Sequence, residues 1–317
     1  MKQLTLNEVA QFLKEGDRFV ILTHRRPDGD TTGCAVALCR GLRSLGKESW
    51  ILENPQFTPK LRPFLEGLTV ENIPENGTLV SVDIAVEGLL PLNAVEEADR
   101  IELLIDHHGR NSGFAQRGFV DPDAAACGEI ILDLLRRLGV EPDKAMGEAV
   151  YLAISTDTGC FRYSNTTANT LMAAAACKNC GADTFSINRI FFMTKRPARL
   201  KLDGFLANTT EFYAEGKVAV STIPDSIRKE LALNQDDIDD ISGFGREIEG
   251  VEIGIMIRQE PEGGKLSVRS SPDYDASAIC GRLGGGGHKA AAGATVPGTI
   301  EDAKREILRV LGEMGLI

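Results

Sequence analysis

The stretch RFVILTHRRPDGD, at residues 18–30, joins a short apolar run to a polar loop, and an apolar-rich helix is predicted to follow it. That helix would extend to Leu45, just before Gly46, which stands where a glycine commonly ends a helix. An apolar run that ends at an acidic residue occurs again at 79–83 and at 101–108. Apolar strands that alternate with helices are typical of a parallel sheet with helices on both faces. We therefore predict an α/β fold with a parallel sheet in the N-terminal part of the chain.

The second part of the chain has a different pattern. Residues 168–206 are mostly helical in pattern, and two β-hairpins are predicted beyond them, at 210–222 and 251–270. A glycine run, a strand and a closing helix complete a smaller mixed α/β domain. We predict a first domain at 1–190, a helical linker at 191–208 and a second domain at 209–317.

The composition is that of an acidic globular protein. Among 317 residues, 46 are Asp or Glu and 35 are Lys or Arg, which gives a formal net charge of −11. Proteins that bind long nucleic acids usually have a basic surface, because phosphate neutralisation supplies much of the affinity. The charge therefore argues against a long nucleic acid as partner, and a phosphate-bearing ligand should be small. The acidic run QDDIDDI, at 235–241, is predicted to be a solvated helix face.

The sequence predicts a cytoplasmic protein with no membrane association. No apolar run approaches the roughly 20 residues needed to cross a bilayer. The N-terminus, MKQLTLNEVAQFLKEGD, lacks the apolar core of a secretory signal and has the pattern of an amphipathic helix. Seven cysteines, an odd number in a chain of this length, do not indicate a disulfide framework.

Polar side chains are concentrated at the ends of the predicted strands. They are His24, Asp28 and Asp30 after the first strand, Asp83 after the second, and Asp106, His107 and His108 after the third. Asp157 follows at the end of a later predicted helix, which Asp143 is placed to cap. The carboxyl ends of parallel strands meet at one edge of a sheet, where open α/β folds bind their ligands. We therefore expect these side chains to share one crevice.

The residue types in this crevice predict a metal site. Five carboxylates would repel each other there unless a cation compensates their charge. The chain has only four histidines, and three of them, His24, His107 and His108, lie among these carboxylates. Mixed imidazole and carboxylate ligands suit manganese, magnesium or a related divalent ion.

The sequence also resembles a known family. THRRPDGD, VSVDIA, IDHHGRN and ISTDTGCF resemble the four motifs of the DHH phosphoesterases, and GGGGHKAAAG, preceded by VRSS, resembles the signature of the DHH-associated domain. These motifs occur in the right order and extend over nearly the whole chain. The compact two-domain size is similar to the nanoRNase/pAp phosphatase type. That resemblance implies hydrolysis of very short RNAs to mononucleotides and of 3′-phosphoadenosine 5′-phosphate to AMP.

The resemblance implies a role for each polar residue of the crevice. It implies two divalent metal ions, with Mn²⁺ expected and Mg²⁺ or Co²⁺ as alternatives. The implied ligands are His24 and Asp28 for one ion, Asp30, His107 and Asp157 for the other, and Asp83 between the two. The expected catalytic residues are Asp83, Asp106, which would orient a ligand, and His108, which would contact a phosphate oxygen or protonate the leaving oxygen. Two such ions activate a water molecule and hold the oxygens of an in-line displacement.

Substrate binding is assigned by the resemblance to the second domain. Glycines at 284–287 would leave backbone N–H groups free for an anion, although a plain turn is the alternative for such a run. The expected substrate-binding residues are Arg269, Ser270, Gly285, Gly286, Gly287, His288 and Lys289, with Arg110 in the first domain. A terminal phosphate held there, with the scissile phosphate on the metals, would let the protein measure substrate length. Phe161, Arg162 and Tyr163 either stack a nucleobase or reach a phosphate, or they pack around Asp157, and these alternatives stay open.

Several alternative functions share parts of this pattern. A pyrophosphatase or exopolyphosphatase of the family should lack GGGGHKAAAG, and a long-strand 5′ exonuclease would need a basic path. A hydrolase of linear or cyclic dinucleotides is not separated from the main hypothesis by sequence. A non-catalytic nucleotide-binding protein need not keep every metal ligand, whereas this chain keeps all of them. The expected partners are short RNA oligonucleotides and small nucleotides, and the sequence leaves a homodimer open.

Overall fold

A computed structural model of the chain describes residues 1–238 and 241–317, which divide into two compact units, Met1–Thr194 and Lys195–Ile317. The first unit contains β1 (Lys2–Gln3), α1 (Leu6–Glu15), β2 (Phe19–Leu22), α2 (Gly29–Ser44), β3 (Ser49–Leu52), β4 (Thr69–Val70), β5 (Thr78–Val82), β6 (Ile101–Asp106), β7 (Arg117–Val120), α3 (Cys127–Leu138), α4 (Lys144–Asp157), α5 (Ala168–Asn179) and α6 (Thr184–Asn188). Shorter helices of the 3-10 type lie at Arg62–Leu65, Glu87–Leu89 and Val95–Arg100, and a π-helix lies at Arg189–Met193.

The strands of the first unit form a parallel sheet, as predicted. Within residues 1–194, all of which are described, seven strands pair in the order β1-β7-β6-β5-β2-β3-β4, and every pair is parallel. Alternate residues of β2 pack on opposite faces, Phe19 and Ile21 with the α-helices and Val20 and Leu22 with the other core cluster. Helices were predicted on both faces: the α-helices pack on the first face, whereas loops and short 3-10 helices cover the second.

The helix ends in this unit follow the predicted signals. Asp143 accepts a hydrogen bond from the Met146 N–H and caps α4, as the sequence predicted. Asp28 caps α2, because its side chain accepts hydrogen bonds from the N–H groups of Asp30 and Thr31. The N-terminal amphipathic helix is α1, which begins at a capping box on Thr5.

The second unit is a mixed sheet with helices, also as predicted. It contains α7 (Pro197–Thr209), β8 (Glu211–Tyr213), β9 (Val218–Ile223), α8 (Asp225–Glu230), β10 (Ile253–Glu260), β11 (Gly263–Ser270), α9 (Ala276–Gly281), β12 (Gly286–Gly287), β13 (Ala291–Val296) and α10 (Ile300–Glu313). In its described residues the strand order is β12-β13-β11-β10-β9-β8, with β9 and β10 parallel and the other pairs antiparallel. Both predicted hairpins are present, as β8–β9 and β10–β11. The segment predicted as a linker forms most of α7, whose buried Leu202 and Leu206 pack with residues of the second unit.

The prediction of a solvated helix face at 235–241 was wrong for its first residues. The segment Gln235–Asp237 is a 3-10 turn, and Asp237 is buried, with 2% of its surface exposed. Its carboxylate pairs with Arg196 at 2.5 Å and accepts a hydrogen bond from the Asn234 N–H. A charge run predicts exposure only when no cation is near in space, and the sequence does not show that Arg196 lies beside it. Ile238 and Ile241 are also buried, and Asp239 and Asp240 lie outside the described residues.

Among the described residues, no helix is long and apolar enough to cross a membrane. All seven cysteines are free, and five of them are buried.

Candidate metal centre

The strand ends of the first unit and the end of α4 bring the predicted ligands together. One group consists of His24, Asp28 and Asp83, and another of Asp30, His107 and Asp157. Within each group, one ligand atom from every residue lies within 4.8 Å of the others. All six side chains that the sequence predicted as metal ligands therefore meet in one place.

His24 and His107 each turn one ring nitrogen toward this place. The Nδ1 atom of His24 lies 2.9 Å from the Arg25 carbonyl oxygen, and Nδ1 of His107 lies 3.1 Å from that of Ala124. A carbonyl oxygen only accepts, so each Nδ1 carries a proton and donates it. The Nε2 atom of each ring faces the carboxylates, and a backbone partner on Nδ1 is the arrangement that orients a histidine for metal binding.

The distances between ligand atoms are those of atoms that face a common centre. The His107 Nε2 atom lies 3.5 Å from an oxygen of Asp157 and 3.7 Å from one of Asp30. These separations exceed a hydrogen bond. Atoms that bind one divalent ion at about 2.1 Å lie about 3.0–3.4 Å apart, which is close to the observed values. A divalent ion placed between these atoms would contact all of them.

Asp83 faces both groups. Its Oδ2 lies 3.8 Å from His24 Nε2, and its Oδ1 lies 3.5 Å from His107 Nε2. Asp83 is 3% exposed, and Oδ1 has no hydrogen-bond partner among the described residues. Its backbone has a φ of +58°, a left-handed conformation that aspartate tolerates better than most residues. A buried carboxylate oxygen without a donor is costly, and a bound cation would compensate it.

The electrostatics of the carboxylates lead to the same conclusion. Burial raises the pKa of Asp83 well above its ordinary value, and the charges of Asp30 and Asp28 raise it further. Burial with the charge of Asp28 raises the pKa of Asp30 to about 7, and burial with the charge of Asp30 raises that of Asp157 to about 7. Burial and neighbouring charges therefore destabilise the charged form of Asp30, Asp83 and Asp157, and a bound cation would stabilise it. This donor set fits divalent metal ions.

Asp30 also caps a helix from a distant part of the chain, which the sequence did not reveal. Its Oδ2 accepts a hydrogen bond of 2.7 Å from the Cys127 N–H, and its Oδ1 accepts one of 3.0 Å from the Gly128 N–H. These N–H groups begin α3, and the residue before them, Ala126, provides no side-chain cap. The Cys34 thiol donates a third bond to Oδ1, at 3.2 Å. The orientation of Asp30 is therefore fixed by three donors.

Glycines bring α2 and α4 close enough to place their ligands side by side. A Cβ atom at Gly33 would lie 2.2 Å from the Ala149 carbonyl oxygen, and one at Gly29 would lie 2.3 Å from the Thr156 hydroxyl. Gly29 stands between two of the ligands, and Thr156 precedes a third. The close approach of the two helices is possible only without side chains at these positions.

His108 belongs to a hydrogen-bonded chain beside the ligand groups. Its Nδ1 lies 2.8 Å from Oδ1 of the fully buried Asp106, which also accepts a bond from the His107 N–H. The Asn111 side chain donates to the other oxygen of Asp106, at 2.5 Å, and thereby fixes the carboxylate. Although burial lowers it, the pKa of His108 is raised overall by the hydrogen bond and charge of Asp106. Asn111 had no predicted role, although it ends the quoted motif IDHHGRN.

The other predicted substrate-binding residue of the first unit is Arg110. It is exposed, and its side chain forms no hydrogen bond or ion pair in the part of the chain that the structure describes. In the chain, Arg110 follows His108 by two residues.

The predicted substrate-binding residues of the second unit gather at one end of its sheet. Arg269 pairs with Ala291 across β11 and β13, and the Ser270 hydroxyl donates to the Lys289 carbonyl oxygen at 2.9 Å. His288 and Lys289 are exposed and form the turn between β12 and β13. Arg269 donates to the Ser242 hydroxyl at 3.0 Å and to the Val268 carbonyl oxygen at 3.2 Å.

The expectation that the glycine run leaves its N–H groups free for an anion was wrong in part. The Gly284 N–H donates to the Gly281 carbonyl oxygen, and the Gly285 N–H donates to that of Cys280 at 2.9 Å. Gly286 and Gly287 pair with β13. Gly285 and Gly287 serve close packing, because a Cβ at Gly285 would lie 2.1 Å from the Gly293 carbonyl oxygen and one at Gly287 would lie 2.6 Å from that of Ala291. The N–H groups of Gly284 and Gly285 are therefore satisfied inside the fold.

Comparison with known proteins agrees with this geometry. The model of the N-terminal domain of the DHH family matches residues 18–154, and that of the DHHA1 domain matches residues 215–314. The chain is 35% identical to the bifunctional oligoribonuclease and PAP phosphatase NrnA of Thermus thermophilus, over 96% of this chain and 93% of that protein. The chain belongs to the DHH phosphoesterase family. In this DHH protein, the side chains that could bind metal ions lie in the sequence motifs that resemble those of the family.

Other proteins that resemble this DHH protein are named for different functions. It is 22% identical to the cyclic-di-AMP phosphodiesterase PdeA of Listeria monocytogenes, over 96% of this chain and 48% of that protein. Its fold matches that of an exopolyphosphatase-related protein from Bacteroides fragilis with a TM-score of 0.87, at 22% identity over 97% of this chain and 95% of the other. The second match shows the fold alone.

Metal binding by the DHH protein is expected to strengthen with pH. Asp30 and Asp157, whose pKa values are about 7, must lose their protons before they bind a cation. Raising the pH from 6 to 8 should therefore increase Mn²⁺ affinity by about tenfold for each carboxyl that is deprotonated. Isothermal titration calorimetry in two buffers of different ionisation enthalpy measures both the affinity and the protons released. The same affinity at both pH values, with no proton release, would contradict this expectation.

The same shifts set the stability of the metal-free protein. A carboxyl whose pKa is higher in the folded than in the unfolded state binds more protons when folded, so stability falls as pH rises. In chelator, the melting temperature should fall between pH 5.5 and 8, and Mn²⁺ should reverse the fall at pH 8.

Proposed function

We propose that this chain is a metal-dependent phosphodiesterase that hydrolyses very short RNA oligonucleotides to mononucleotides and 3′-phosphoadenosine 5′-phosphate to AMP. Two observations support the proposal. The relative that is 35% identical, NrnA of Thermus thermophilus, is named for both activities and is matched over 93% of its length. Asp83 turns its two carboxylate oxygens toward two separate ligand groups, and a shared ligand between a pair of ions would be placed in this way.

In this proposal the two ligand groups hold two divalent ions, with Mn²⁺ favoured by the mixture of imidazole and carboxylate donors. His24 and Asp28 would hold one ion, Asp30, His107 and Asp157 the other, and Asp83 both. Bound ions would supply positive charge to the phosphate oxygens and lower the pKa of a bound water. The protein provides the fixed positions of the ligands, so little reorganisation is needed during the reaction.

His108 would complete the reaction as a proton donor. Hydrolysis breaks the bond between phosphorus and the leaving oxygen, and that oxygen must take up a proton. His108 is suited to deliver it, because Asp106 holds Nδ1 and leaves Nε2 for the substrate. Its side chain is 35% exposed, so a ligand can reach it. Asp106 would then orient His108 and would not bind a metal.

The second unit would hold the part of the substrate that is not cleaved. Arg269, His288 and Lys289 offer cationic or hydrogen-bonding groups at one end of its sheet. A formal charge of −11 gives the chain no general attraction for polyanions, so phosphate contacts of this local kind suit small substrates. We place the protein in the cytoplasm on the sequence prediction, which its seven free cysteines fit.

A substrate panel tests the proposed function. It contains 5′-phosphorylated RNAs of two to about ten nucleotides, 3′-phosphoadenosine 5′-phosphate, linear and cyclic dinucleotides, and pyrophosphate, each with Mn²⁺ and with chelator. We expect the fastest turnover with the shortest RNAs and with 3′-phosphoadenosine 5′-phosphate, and none in chelator. The match to PdeA makes cyclic dinucleotides the second candidate. Preferred hydrolysis of a cyclic dinucleotide or of pyrophosphate would overturn the proposal.

Removing a cation from the second unit is expected to weaken substrate binding selectively. Lys289→Ala and Arg269→Ala should each raise KM for a 5′-phosphorylated dinucleotide by about tenfold, because each removes one charge-assisted hydrogen bond to phosphate. The KM for a generic phosphodiester reporter should stay within about twofold.

Two features keep this experiment interpretable. Lys289 is exposed, so its replacement should not change the melting temperature, whereas Arg269 also bonds Ser242 and requires that measurement. Arg309→Ala is the matched control, since Arg309 pairs only with glutamates of its own helix in the described structure. Equal losses on both substrates would contradict a role in binding the terminal phosphate.

A further inference from the structure

The chain makes a left-handed turn directly after Asp157. Three consecutive residues, Gly159, Cys160 and Phe161, have φ values of +56°, +58° and +63°. Residues other than glycine rarely adopt this conformation, and such strain persists only where the surrounding structure enforces it. Cys160 and Phe161 are therefore two strained residues, three and four positions after the proposed ligand Asp157.

Backbone hydrogen bonds and the packing of one ring hold this turn in place. The Cys160 N–H donates to the Ser155 carbonyl oxygen at 2.7 Å, and the N–H groups of Arg162 and Tyr163 both donate to that of Thr158 at 3.0 Å. The Phe161 ring packs against the core, 5.8 Å from the Tyr151 ring. For Phe161, the sequence left open whether the ring stacks a nucleobase or packs in the fold. The ring packs against the core.

Tyr163 is the residue that the turn exposes. Its side chain is 58% exposed. A Cβ atom at Gly159 would lie 2.3 Å from the Tyr163 Cζ atom and 2.5 Å from Cε1, so the ring rests against the backbone of Gly159. The glycine leaves the space that the ring occupies. The phenol oxygen has no hydrogen-bond partner in the described ranges.

The turn that carries Tyr163 begins close to Asp157. The ring rests on the backbone of Gly159, which is two peptide units from Asp157, so the Cα atoms of Gly159 and Asp157 are at most about 7.6 Å apart. The Asn165 side chain donates to the Asp157 carbonyl oxygen at 3.2 Å and to the Ala125 carbonyl oxygen at 3.1 Å. The far end of the turn is therefore tied back to the helix end that carries Asp157.

We propose that Tyr163 stacks against the nucleobase of the nucleotide whose phosphate lies at the metal centre. Every nucleobase has a π-face, and stacking on an aromatic side chain binds nucleotides without selecting their sequence. The ring loses little conformational freedom on binding, because its position against Gly159 is already fixed. This inference rests on the proposed function in taking a nucleotide as the ligand.

Kinetics on dinucleotides with and without a base test the inference. The substrates are a 5′-phosphorylated dinucleotide and two analogues, each lacking one of the two bases. Tyr163→Ala should raise KM for the complete dinucleotide by about tenfold with kcat unchanged. On the analogue that lacks the stacked base, the variant and the wild type should have the same KM. Tyr163→Phe keeps the ring and should behave as the wild type, whereas Tyr163→Leu should behave as the alanine variant.

Phe185→Ala is the matched control, since Phe185 is an aromatic residue of the same unit with 62% exposure. It should leave every KM unchanged. The inference is overturned if Tyr163→Ala matches the wild type on the complete dinucleotide, or if its loss is equal on both base-free analogues.

A binding measurement separates this inference from the proposed function. With Mn²⁺ present, Tyr163→Ala should bind AMP about tenfold more weakly than the wild type and bind inorganic phosphate equally well. Failure of the wild type to hydrolyse any dinucleotide would end the proposed function. Equal AMP affinity of the wild type and the variant would end the stacking role.

Discussion

Asp83→Asn is expected to lower hydrolysis by about a thousandfold or more and to abolish the response of the protein to divalent ions. The asparagine keeps the size of the side chain and tolerates the φ of +58°, so the change removes little except the charge. Because Asp83 faces both ligand groups, its loss should affect both proposed ions. The measurements are turnover of a short RNA and the melting temperature with Mn²⁺ and with chelator.

The two states of this variant should change in opposite directions. In chelator at pH 8 it should melt at a higher temperature than the wild type, because a buried carboxylate without a donor has been removed. With Mn²⁺ it should melt at a lower temperature than the wild type. Asp237→Asn is the matched control, a buried aspartate of the second unit that pairs with Arg196. It should lower both melting temperatures and keep the response to Mn²⁺, and a retained response in Asp83→Asn would contradict the proposed centre.

His108→Asn is expected to lower kcat by about a hundredfold or more on RNA and to leave Mn²⁺ affinity unchanged. The loss should be much smaller on a phosphodiester with a nitrophenolate leaving group, which departs without a proton. Asp106→Asn should shift the alkaline limb of the kcat profile to lower pH, because Asp106 raises the pKa of His108. Both changes leave the two ligand groups in place.

Metal affinity distinguishes this role from a ligand role. Asp83, Asp106, His107 and His108 also form a group whose side chains could hold an ion. A loss of Mn²⁺ affinity in His108→Asn would therefore assign His108 to the metals and contradict its role as proton donor. His107→Asn is the comparison, since it should lose both Mn²⁺ affinity and activity on every substrate.

The sequence predicted the sheet and the site because both depend on local order. Each strand ends where its polar residues begin, and parallel strands bring those ends to one edge, so neighbours in space follow from neighbours in sequence. His24 and Asp83, for example, are assigned to the same place by the order of their strands alone. The capping role of Asp143 also needs only residues within one turn.

Contacts between distant segments were not predictable in this way. Asp30 bonds to the first N–H groups of α3, 97 residues further along the chain, and the sequence around Asp30 contains no sign of that partner. The glycine run at 284–287 was expected to leave backbone N–H groups free. Instead, Gly285 packs closely against Gly293, and Gly286 and Gly287 pair with β13. Asp237 was interpreted by its acidic neighbours, whereas the guanidinium of Arg196 determines its burial.

The contact between Gly29 and Thr156 has a consequence for ion selectivity. Two proposed ligands flank Gly29 in α2, and a third follows Thr156 in α4. The spacing between the donors of these two helices is therefore set by how closely the helix backbones approach each other. Cations of different ionic radius require different donor spacings. In the proposed centre, the ionic radius that fits would therefore depend in part on the absence of a Cβ atom at Gly29, a residue that is not itself a proposed ligand.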